Sequence, residues 1–274
     1  MTDRTAINGK TRLVCLIGKP IKHSLSPLIH NTGFGALGLN FAYMAFEAKD
    51  LKKTVDGFRE IGVAGFNVTM PYKQEIIRHL DKVDGQARKI HAVNTVANKG
   101  GLFIGYNTDS IGAVRALKKV TKIRGKKILL VGAGGAGRAI AFGLKKEKAE
   151  LTIAEKSEKK GKALAREVKG KFVRLANIVK TNPDIIINAT PVGMEPNINS
   201  SVIPKGFLRK GMVVFDIVYD PLETRLLKEA EKSGCRTISG VEMLLEQAFA
   251  SFEIFTGRKA PESKMRNAVY KELR

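Results

Sequence analysis

Metal-ligand spacings, long apolar runs, internal repeats and low-complexity stretches are all missing from this chain of 274 residues. No apolar run approaches the roughly 20 residues that cross a bilayer, and Met1-Thr-Asp-Arg-Thr5 has no apolar signal core. A soluble, cytoplasmic protein is therefore expected, with no membrane association. There are two cysteines, Cys15 and Cys235, far apart in sequence and set in apolar or strand-like surroundings. That usage predicts reduced, packed thiols and no zinc site, and no bound metal is expected. The four histidines, His23, His30, His79 and His91, show no H-E-x-x-H or comparable spacing. Isolated histidines of this kind read as hydrogen-bonded structural groups.

Acidic residues are scarce. Lys and Arg number 48 against 26 Asp and Glu, a formal charge of +22. Such a balance admits a nucleic acid or an anionic small molecule as partner. The cations are scattered as pairs such as Lys118-Lys119, Lys145-Lys146 and Lys159-Lys160 and form no single stripe. No basic tail or aromatic ribonucleoprotein motif accompanies them. The excess reads as solvated surface, and no nucleic-acid partner is expected.

The most informative stretch is Ile128-Leu-Leu-Val-Gly-Ala-Gly-Gly-Ala-Gly-Arg-Ala139, an apolar run ending in glycines and followed by a helical pattern. A dinucleotide-binding turn needs that order. Gly132 lets the chain leave the strand sharply, Gly134 lets backbone approach a pyrophosphate, and Gly137 lets the helix pack close to the strand. Beyond it, Leu151–Ala154, Ile185–Asn188 and Val213–Asp216 read as buried strands alternating with helices. A doubly wound, Rossmann-type parallel α/β sheet is expected over residues 113–240.

Upstream, Arg12–Gly18, Phe41–Phe46 and Gly65–Val68 read as strands. Ser26-Pro27 looks like a helix cap and first turn, and Asp50 caps the next helix. A further helix is expected through Ile76, Ile77 and Leu80. Ala92–Ala97 and Leu102–Tyr106 form a hairpin through Lys99-Gly100-Gly101. The last helices, about Val241–Thr256 and Glu262–Leu273, are expected to return to the first domain. The substrate domain thus comprises 1–112 and 241–274. Along the first of these helices Met243, Leu244, Phe249 and Phe252 read as a core face, and Gln247 beside them as either a capping amide or a ligand contact.

Short polar side chains gather at predicted strand ends: Ser24 and Ser26 after the first strand, Asn67, Thr69 and Lys73 after the third, and Asn94, Asn107 and Asp109 around the hairpin. Because strand ends in open sheets face a common crevice, these groups suit a small, polyhydroxylated, anionic ligand. Lys73 with Asp109 would suit ketone reduction. An ammonium stabilises the developing alkoxide and donates its proton, and a carboxylate orients the ammonium. Spacing alone favours the plainer readings, a helix-surface lysine and an ordinary helix cap.

Several motifs in register resemble the shikimate dehydrogenase family over nearly the whole chain. They are Gly18-Lys-Pro-Ile-Lys-His-Ser-Leu-Ser-Pro27 with His30-Asn31, Asn67-Val-Thr-Met-Pro-Tyr-Lys73, Ala92-Val-Asn-Thr95 and Gly105-Tyr-Asn-Thr-Asp109. The glycine turn, Asn188-Ala-Thr190, Asp216-Ile-Val-Tyr-Asp-Pro221, Gly240-Val-Glu-Met-Leu244 and Gln247-Ala248 continue the match. The resemblance implies reversible, NADP-dependent reduction of 3-dehydroshikimate to shikimate in aromatic amino-acid biosynthesis. It implies that Ser24 and Ser26 hold the substrate carboxylate and that Thr69, Asn94, Asp109 and Gln247 contact ring hydroxyls. Lys73 would be catalytic, paired with Asp109, and Tyr219 would line the site. Cofactor contacts would come from Gly132, Gly134, Gly135, Ala136 and Gly137, from Glu155, Lys156 and Ser157, and from Thr190, Val218 and Gly240. A homodimer is compatible with the sequence.

Three positions depart from the family pattern. His91 stands where glycine usually precedes Ala-Val-Asn-Thr, and Pro191 follows Asn188-Ala-Thr where serine is common. Most consequentially, Glu155-Lys-Ser157 replaces Asn-Arg-Thr/Ser after the second Rossmann strand. An acidic residue there favours the ribose 2′-OH of NAD, whereas neighbouring lysines favour the 2′-phosphate of NADP. The family habit and the local positive charge put NADP first, with an NAD-using shikimate/quinate dehydrogenase as the alternative. A non-catalytic basic nucleotide- or nucleic-acid-binding protein is the more distant one.

Overall fold

The computed structural model describes residues 7–273, so Met1–Thr5 lies outside the described residues. The chain divides into two compact units, Met1–Thr108 with Gln247–Arg274, and Asp109–Glu246.

In the first unit the elements are β1 (Arg12–Gly18), α1 (Ser26–Ala36), β2 (Phe41–Glu47), α2 (Leu51–Glu60), β3 (Gly65–Val68), β4 (Lys82–Val83), α3 (Gly85–Ile90), β5 (Thr95–Lys99) and β6 (Leu102–Tyr106). They form a six-stranded sheet ordered β2-β1-β3-β5-β6-β4. β1 pairs in parallel with both β2 and β3, while β5 runs antiparallel to β3 and β6. Alternate residues of β1 serve opposite faces, and Cys15 and Ile17 join Phe66, Val68 and α2 residues Leu51, Val55 and Phe58 in one core. Asp50 caps α2 by accepting the Lys53 N–H at 3.0 Å. Gly100 and Gly101, both at positive φ (62° and 87°), close the β5–β6 hairpin.

Local structure differs from expectation in three places. α1 starts at Ser26 with Leu25 as its cap, and the Ser24 hydroxyl, not Ser26, accepts the Ser26 N–H at 3.2 Å. The segment through Ile76 and Ile77 is a short 3₁₀ turn (Glu75–His79), in which Ile76 alone is buried. Ile77 packs against the same core only partly buried, and two apolar side chains are too few to hold a longer helix. The sequence pattern also missed β4 and α3, both too short to show a period.

The second unit contains α4 (Asp109–Lys118), β7 (Lys127–Val131), α5 (Gly135–Lys146), β8 (Glu150–Glu155), α6 (Glu158–Glu167), β9 (Lys171–Arg174), β10 (Ile185–Asn188), β11 (Val213–Asp216), α7 (Arg225–Lys232) and β12 (Arg236–Ile238). Its sheet is ordered β12-β11-β10-β7-β8-β9 with every pairing parallel, the doubly wound arrangement expected. Helices cover both faces, which explains the nearly continuous apolar strands. Ile128, Leu130, Ile185, Ile187, Val213 and Phe215 fill one core, and Leu129, Val131, Ile186 and Val214 fill the other.

α8 (Gly240–Thr256) and α9 (Glu262–Glu272) complete the chain. The divisions fall at 108/109 and 246/247, not at 112/113 and 240/241. Packing accounts for the difference. Ser110 lies against Gly143 of α5, Met243 sits in the second unit's core, and Lys119 of α4 pairs with Glu242 at 3.3 Å and with Glu246. The expected core face of α8 is therefore shared: Met243 serves the second unit, and Phe249 and Phe252 are buried in the first. Among the described residues no helix is long and apolar enough to cross a membrane.

Candidate active site

In the first unit, amides and hydroxyls from five separate segments meet in a buried network. Asn67, on β3, donates through Nδ2 to the Asn94 carbonyl at 3.0 Å, to Thr95 Oγ1 at 3.0 Å and to Ser251 Oγ at 3.2 Å. Asn94 donates to Thr108 Oγ1 at 2.9 Å and accepts the Thr108 backbone N–H at 2.7 Å. Gln247 Oε1 lies 3.5 Å from Asn94 Nδ2 and 3.4 Å from Thr108 Oγ1. The Tyr43 hydroxyl donates to Asn67 Oδ1 at 2.7 Å, and burial pushes its proton affinity up. A buried network with its members satisfied is rigid, and losing one member leaves its partners uncompensated at about 1–3 kcal/mol each.

The groups expected to hold substrate divide between the two units. The Ser26 side chain is hydrogen-bonded to Tyr43. Thr69 follows β3, where its N–H bonds the Ile17 carbonyl at 2.9 Å and its methyl lies against Gly18. Lys73 is half-buried, and its carbonyl accepts the Val93 N–H at 2.7 Å, beside Asn94. Asn107 donates to the Ala92 carbonyl at 2.9 Å, holding the approach to β5 against the end of β6. Asp109, the buried first residue of α4, and half-buried Tyr219 belong to the second unit.

His30 lies beneath the network. It is buried and stacked on Tyr43 with centroids 4.4 Å apart and planes 3° from parallel, and its Nδ1 has no hydrogen-bond partner. Burial drives its pKa down to about 3. It is a neutral core residue, though not the hydrogen-bonded one expected.

The glycine turn occupies the C-terminal end of β7 in the second unit. Gly132 has φ +106°, and a Cβ there would stand 2.8 Å from the Ala189 carbonyl oxygen. A Cβ on Gly137 would stand 2.2 Å from the Gly132 carbonyl oxygen, so α5 can lie this close only without a side chain. Gly134 is exposed and would meet nothing within 4 Å. α5 starts at Gly135 and Ala136 with no side-chain cap and no acidic residue in its first turn. Its first N–H groups and open backbone surface fit a pyrophosphate, so the residues present suit a dinucleotide.

Glu155 ends β8, yet its carboxylate turns back to this loop. Oε2 accepts the Ala133 N–H at 2.7 Å and Oε1 the Ser157 N–H at 3.0 Å. Lys156 is exposed, and Ser157 caps α6 through the Lys160 N–H. Beyond β10, Asn188 Oδ1 accepts from Thr190 Oγ1 at 2.7 Å and from the Thr190 N–H at 3.0 Å, which orients the loop before Pro191. Asn188 Nδ2 donates to Asp216 Oδ1 at 2.9 Å. Asp216 also accepts from Thr224 Oγ1 at 2.7 Å and from the Val218 N–H at 3.1 Å. Burial outweighs these bonds and raises its pKa to about 6. A Cβ at Gly240 would stand 2.6 Å from the Val218 carbonyl carbon, so the start of α8 closes against that loop. Burial, and then the neighbouring Asp220, raise the Tyr219 pKa.

Sequence reasoning singled out Asn67, Asn94 and Gln247 but passed over Tyr43, Thr95, Thr108, Ser251 and Thr224. Two signals were present: Asn-Thr occurs at 94–95 and again at 107–108, and Ser251 follows Gln247 by one helical turn. A recess of about 830 Å³, lined by basic residues including Lys122, Arg124 and Arg236, lies at the other end of β7 from the glycine turn.

Family models cover the chain in three segments. The shikimate dehydrogenase substrate binding domain matches residues 16–96, the shikimate/quinate 5-dehydrogenase model 115–221, and the shikimate 5'-dehydrogenase C-terminal domain 240–270. Shikimate dehydrogenase (NADP(+)) of Methanocaldococcus jannaschii is 44% identical over 97% of this chain and 99% of its own. That of Pyrococcus abyssi is 45% identical over 94% and 97%. A crystal structure of a shikimate dehydrogenase in complex with NADP+ superposes with a TM-score of 0.94 at 43% identity, covering 98% of both chains. A Listeria monocytogenes shikimate 5-dehydrogenase in complex with shikimate and NAD gives 0.90 at 37% identity, covering 98% of this chain and 99% of that one. With its sheet order, glycine turn and polar network all in place, the chain belongs to the shikimate dehydrogenase family.

Proposed function

We propose that this chain catalyses the reversible, NADP-dependent reduction of 3-dehydroshikimate to shikimate, a step of aromatic amino-acid biosynthesis. The observation that carries the reading is the buried network of Asn67, Asn94, Thr108 and Gln247, with the Lys73 backbone bonded next to Asn94. Fixed amides and hydroxyls of this kind present donors and acceptors in set positions, which suits a polyhydroxylated ring.

The first unit takes the substrate role and the second the nucleotide role. Ser24 and Ser26 bind the substrate carboxylate, and Thr69, Asn94, Asp109 and Gln247 meet the ring hydroxyls. Lys73 donates the proton to the carbonyl oxygen as negative charge develops there, with Asp109 as its partner in that transfer. Tyr219 lines the ring. Gly132, Gly134, Gly135, Ala136 and Gly137 hold the pyrophosphate. Glu155, Lys156 and Ser157 meet the adenosine ribose, and Thr190, Val218 and Gly240 border the nicotinamide. Bound NADPH supplies the hydride. Scattered cations favour small anions over a polynucleotide, and we place the enzyme in the cytoplasm; a homodimer is compatible with the sequence.

Nicotinamide absorbance measured on shikimate and on quinate, each with NADP and with NAD, tests the reading. Turnover of shikimate with NADP is expected, and no reduction with either dinucleotide would overturn it. Lys73→Ala should lower kcat by about 10²–10⁴-fold with a smaller change in KM. Near-normal turnover with weakened binding alone would remove Lys73 from proton transfer.

A further inference from the structure

We propose that Ser251 is a positioning residue for the substrate site: its hydroxyl ties the turn of α8 that carries Gln247 to the buried network and so holds the Gln247 amide ready for a ring hydroxyl. The inference rests on the shikimate reading above, in which Gln247 contacts the ring.

Ser251 is fully buried and stands one helical turn after Gln247 on α8. Its Oγ donates to the Gln247 backbone carbonyl at 3.0 Å. With the proton spent inside the helix, the lone pairs of Oγ face the donors around it. These are the Thr95 hydroxyl at 2.9 Å, the Thr108 hydroxyl at 3.0 Å and Asn67 Nδ2 at 3.2 Å. A back-bond of this kind adjusts the local bend of a helix, here at the residue whose side chain must meet the ligand.

The polarity of the surroundings is set by groups that cannot reverse. The Thr108 backbone N–H fixes Asn94 Oδ1 as an acceptor at 2.7 Å, which turns Asn94 Nδ2 to Thr108 Oγ1 and Gln247 Oε1. The Asn94 backbone carbonyl can only accept, so it fixes Asn67 Nδ2 as a donor at 3.0 Å. Gln247 therefore enters through Oε1, because a reversed amide would set N–H against N–H. Its Nε2 donors are what it offers a ring hydroxyl.

The Oε1 contacts are long, 3.5 Å to Asn94 and 3.4 Å to Thr108, and such contacts hold a flexible side chain weakly. The bonds of Ser251 are shorter, and its neighbours do not depend on it. Thr95 keeps Asn67 and Asn94, Thr108 keeps Asn94, and Asn67 keeps the Asn94 carbonyl and Tyr43. Removing the Ser251 oxygen thus loosens α8 at Gln247 while the rest of the network stays joined.

A double-mutant cycle on the full chain tests this, with wild type, Ser251→Ala, Gln247→Ala and the double variant. Calorimetry with shikimate and with NADP+ is read beside initial rates. Ser251→Ala should raise the shikimate Kd and KM by about three- to tenfold, with kcat changed by less and the NADP+ Kd within about twofold of wild type. Gln247→Ala should raise the shikimate Kd by about tenfold or more. The double variant should match Gln247→Ala within about twofold, because a residue that acts through Gln247 has nothing left to position. If the two losses multiply, Ser251 acts independently of Gln247 and the proposal is wrong. An unchanged shikimate Kd in Ser251→Ala overturns it equally. Should Ser251→Ala fail to fold, Ser251→Cys, whose thiol is a weak donor and acceptor, takes its place in the cycle and the same two outcomes decide. Shikimate binding to wild type without turnover would count against the proposed reaction, while the calorimetric cycle still decides the role of Ser251.

Discussion

Replacing His30 with phenylalanine should remove an acid sensitivity built into the first unit. The imidazole is buried, lacks a partner at Nδ1 and is held to a pKa near 3 against an ordinary 6.5. Its only near titratable neighbour among the ring contacts is Tyr43, stacked at 4.4 Å; the rest are Phe34, Phe252 and Phe255. With the folded pKa depressed, the neutral form is the native one, and above pH 6.5 the group is unprotonated in both folded and unfolded chains. As pH falls through 6.5 only the unfolded chain takes the proton, so stability drops by about 1.4 kcal/mol per pH unit. The loss reaches about 5 kcal/mol near pH 3. Phenylalanine keeps a ring against Tyr43 and cannot titrate. Urea unfolding followed by tyrosine fluorescence suits the measurement, because Tyr43, Tyr72, Tyr106 and Tyr270 all lie in the first unit. Between about pH 6.5 and about pH 4.5 the stability of His30→Phe relative to wild type should rise by about 2–3 kcal/mol. A difference that stays constant across that range would falsify the assignment of acid sensitivity to the buried imidazole.

Two further substitutions probe other sites. Asp216 has the opposite sign: its folded pKa, about 6, is above the ordinary 3.8, so its contribution to stability is full at low pH and is lost as pH rises through 6. Asp216→Asn should therefore gain about 3 kcal/mol on wild type between about pH 4 and about pH 7, and a pH-independent offset in denaturant midpoints would contradict this. His91 ends α3 in the left-handed conformation, φ 57° and ψ 39°, and is exposed. His91→Gly should raise stability by about 1 kcal/mol with turnover unchanged, and a lower melting temperature would count against backbone strain at that position.

The family's glycine before Ala92 now has a physical meaning, since the position requires positive φ and histidine occupies it at a cost. Nothing in the residue type alone announced that conformation. Glu155 shows the same division. Its place one strand beyond the glycines marked it as a ribose-facing residue, but the grip of the Ala133 and Ser157 N–H groups on its carboxylate is visible only in three dimensions.

What the sequence determined by itself is whatever short-range physics writes into neighbouring residues. The buried runs Ile128–Val131, Ile185–Asn188 and Val213–Asp216 declare strands covered on both faces, and the glycines at 132 and 137 declare a turn where helix and strand nearly touch. Those signals suffice for the parallel doubly wound sheet. Tertiary structure alone decided which polar groups meet. Asn94 and Gln247 are far apart in sequence, and only the return of α8 brings them to 3.5 Å with Thr108 and Ser251 between them. Periodicity reports which face of a helix is apolar but not which partner its polar residues will find. It likewise could not say that Met243 serves one core while Phe249 and Phe252 serve another, because that depends on where the chain crosses between units and not on any residue's own preference.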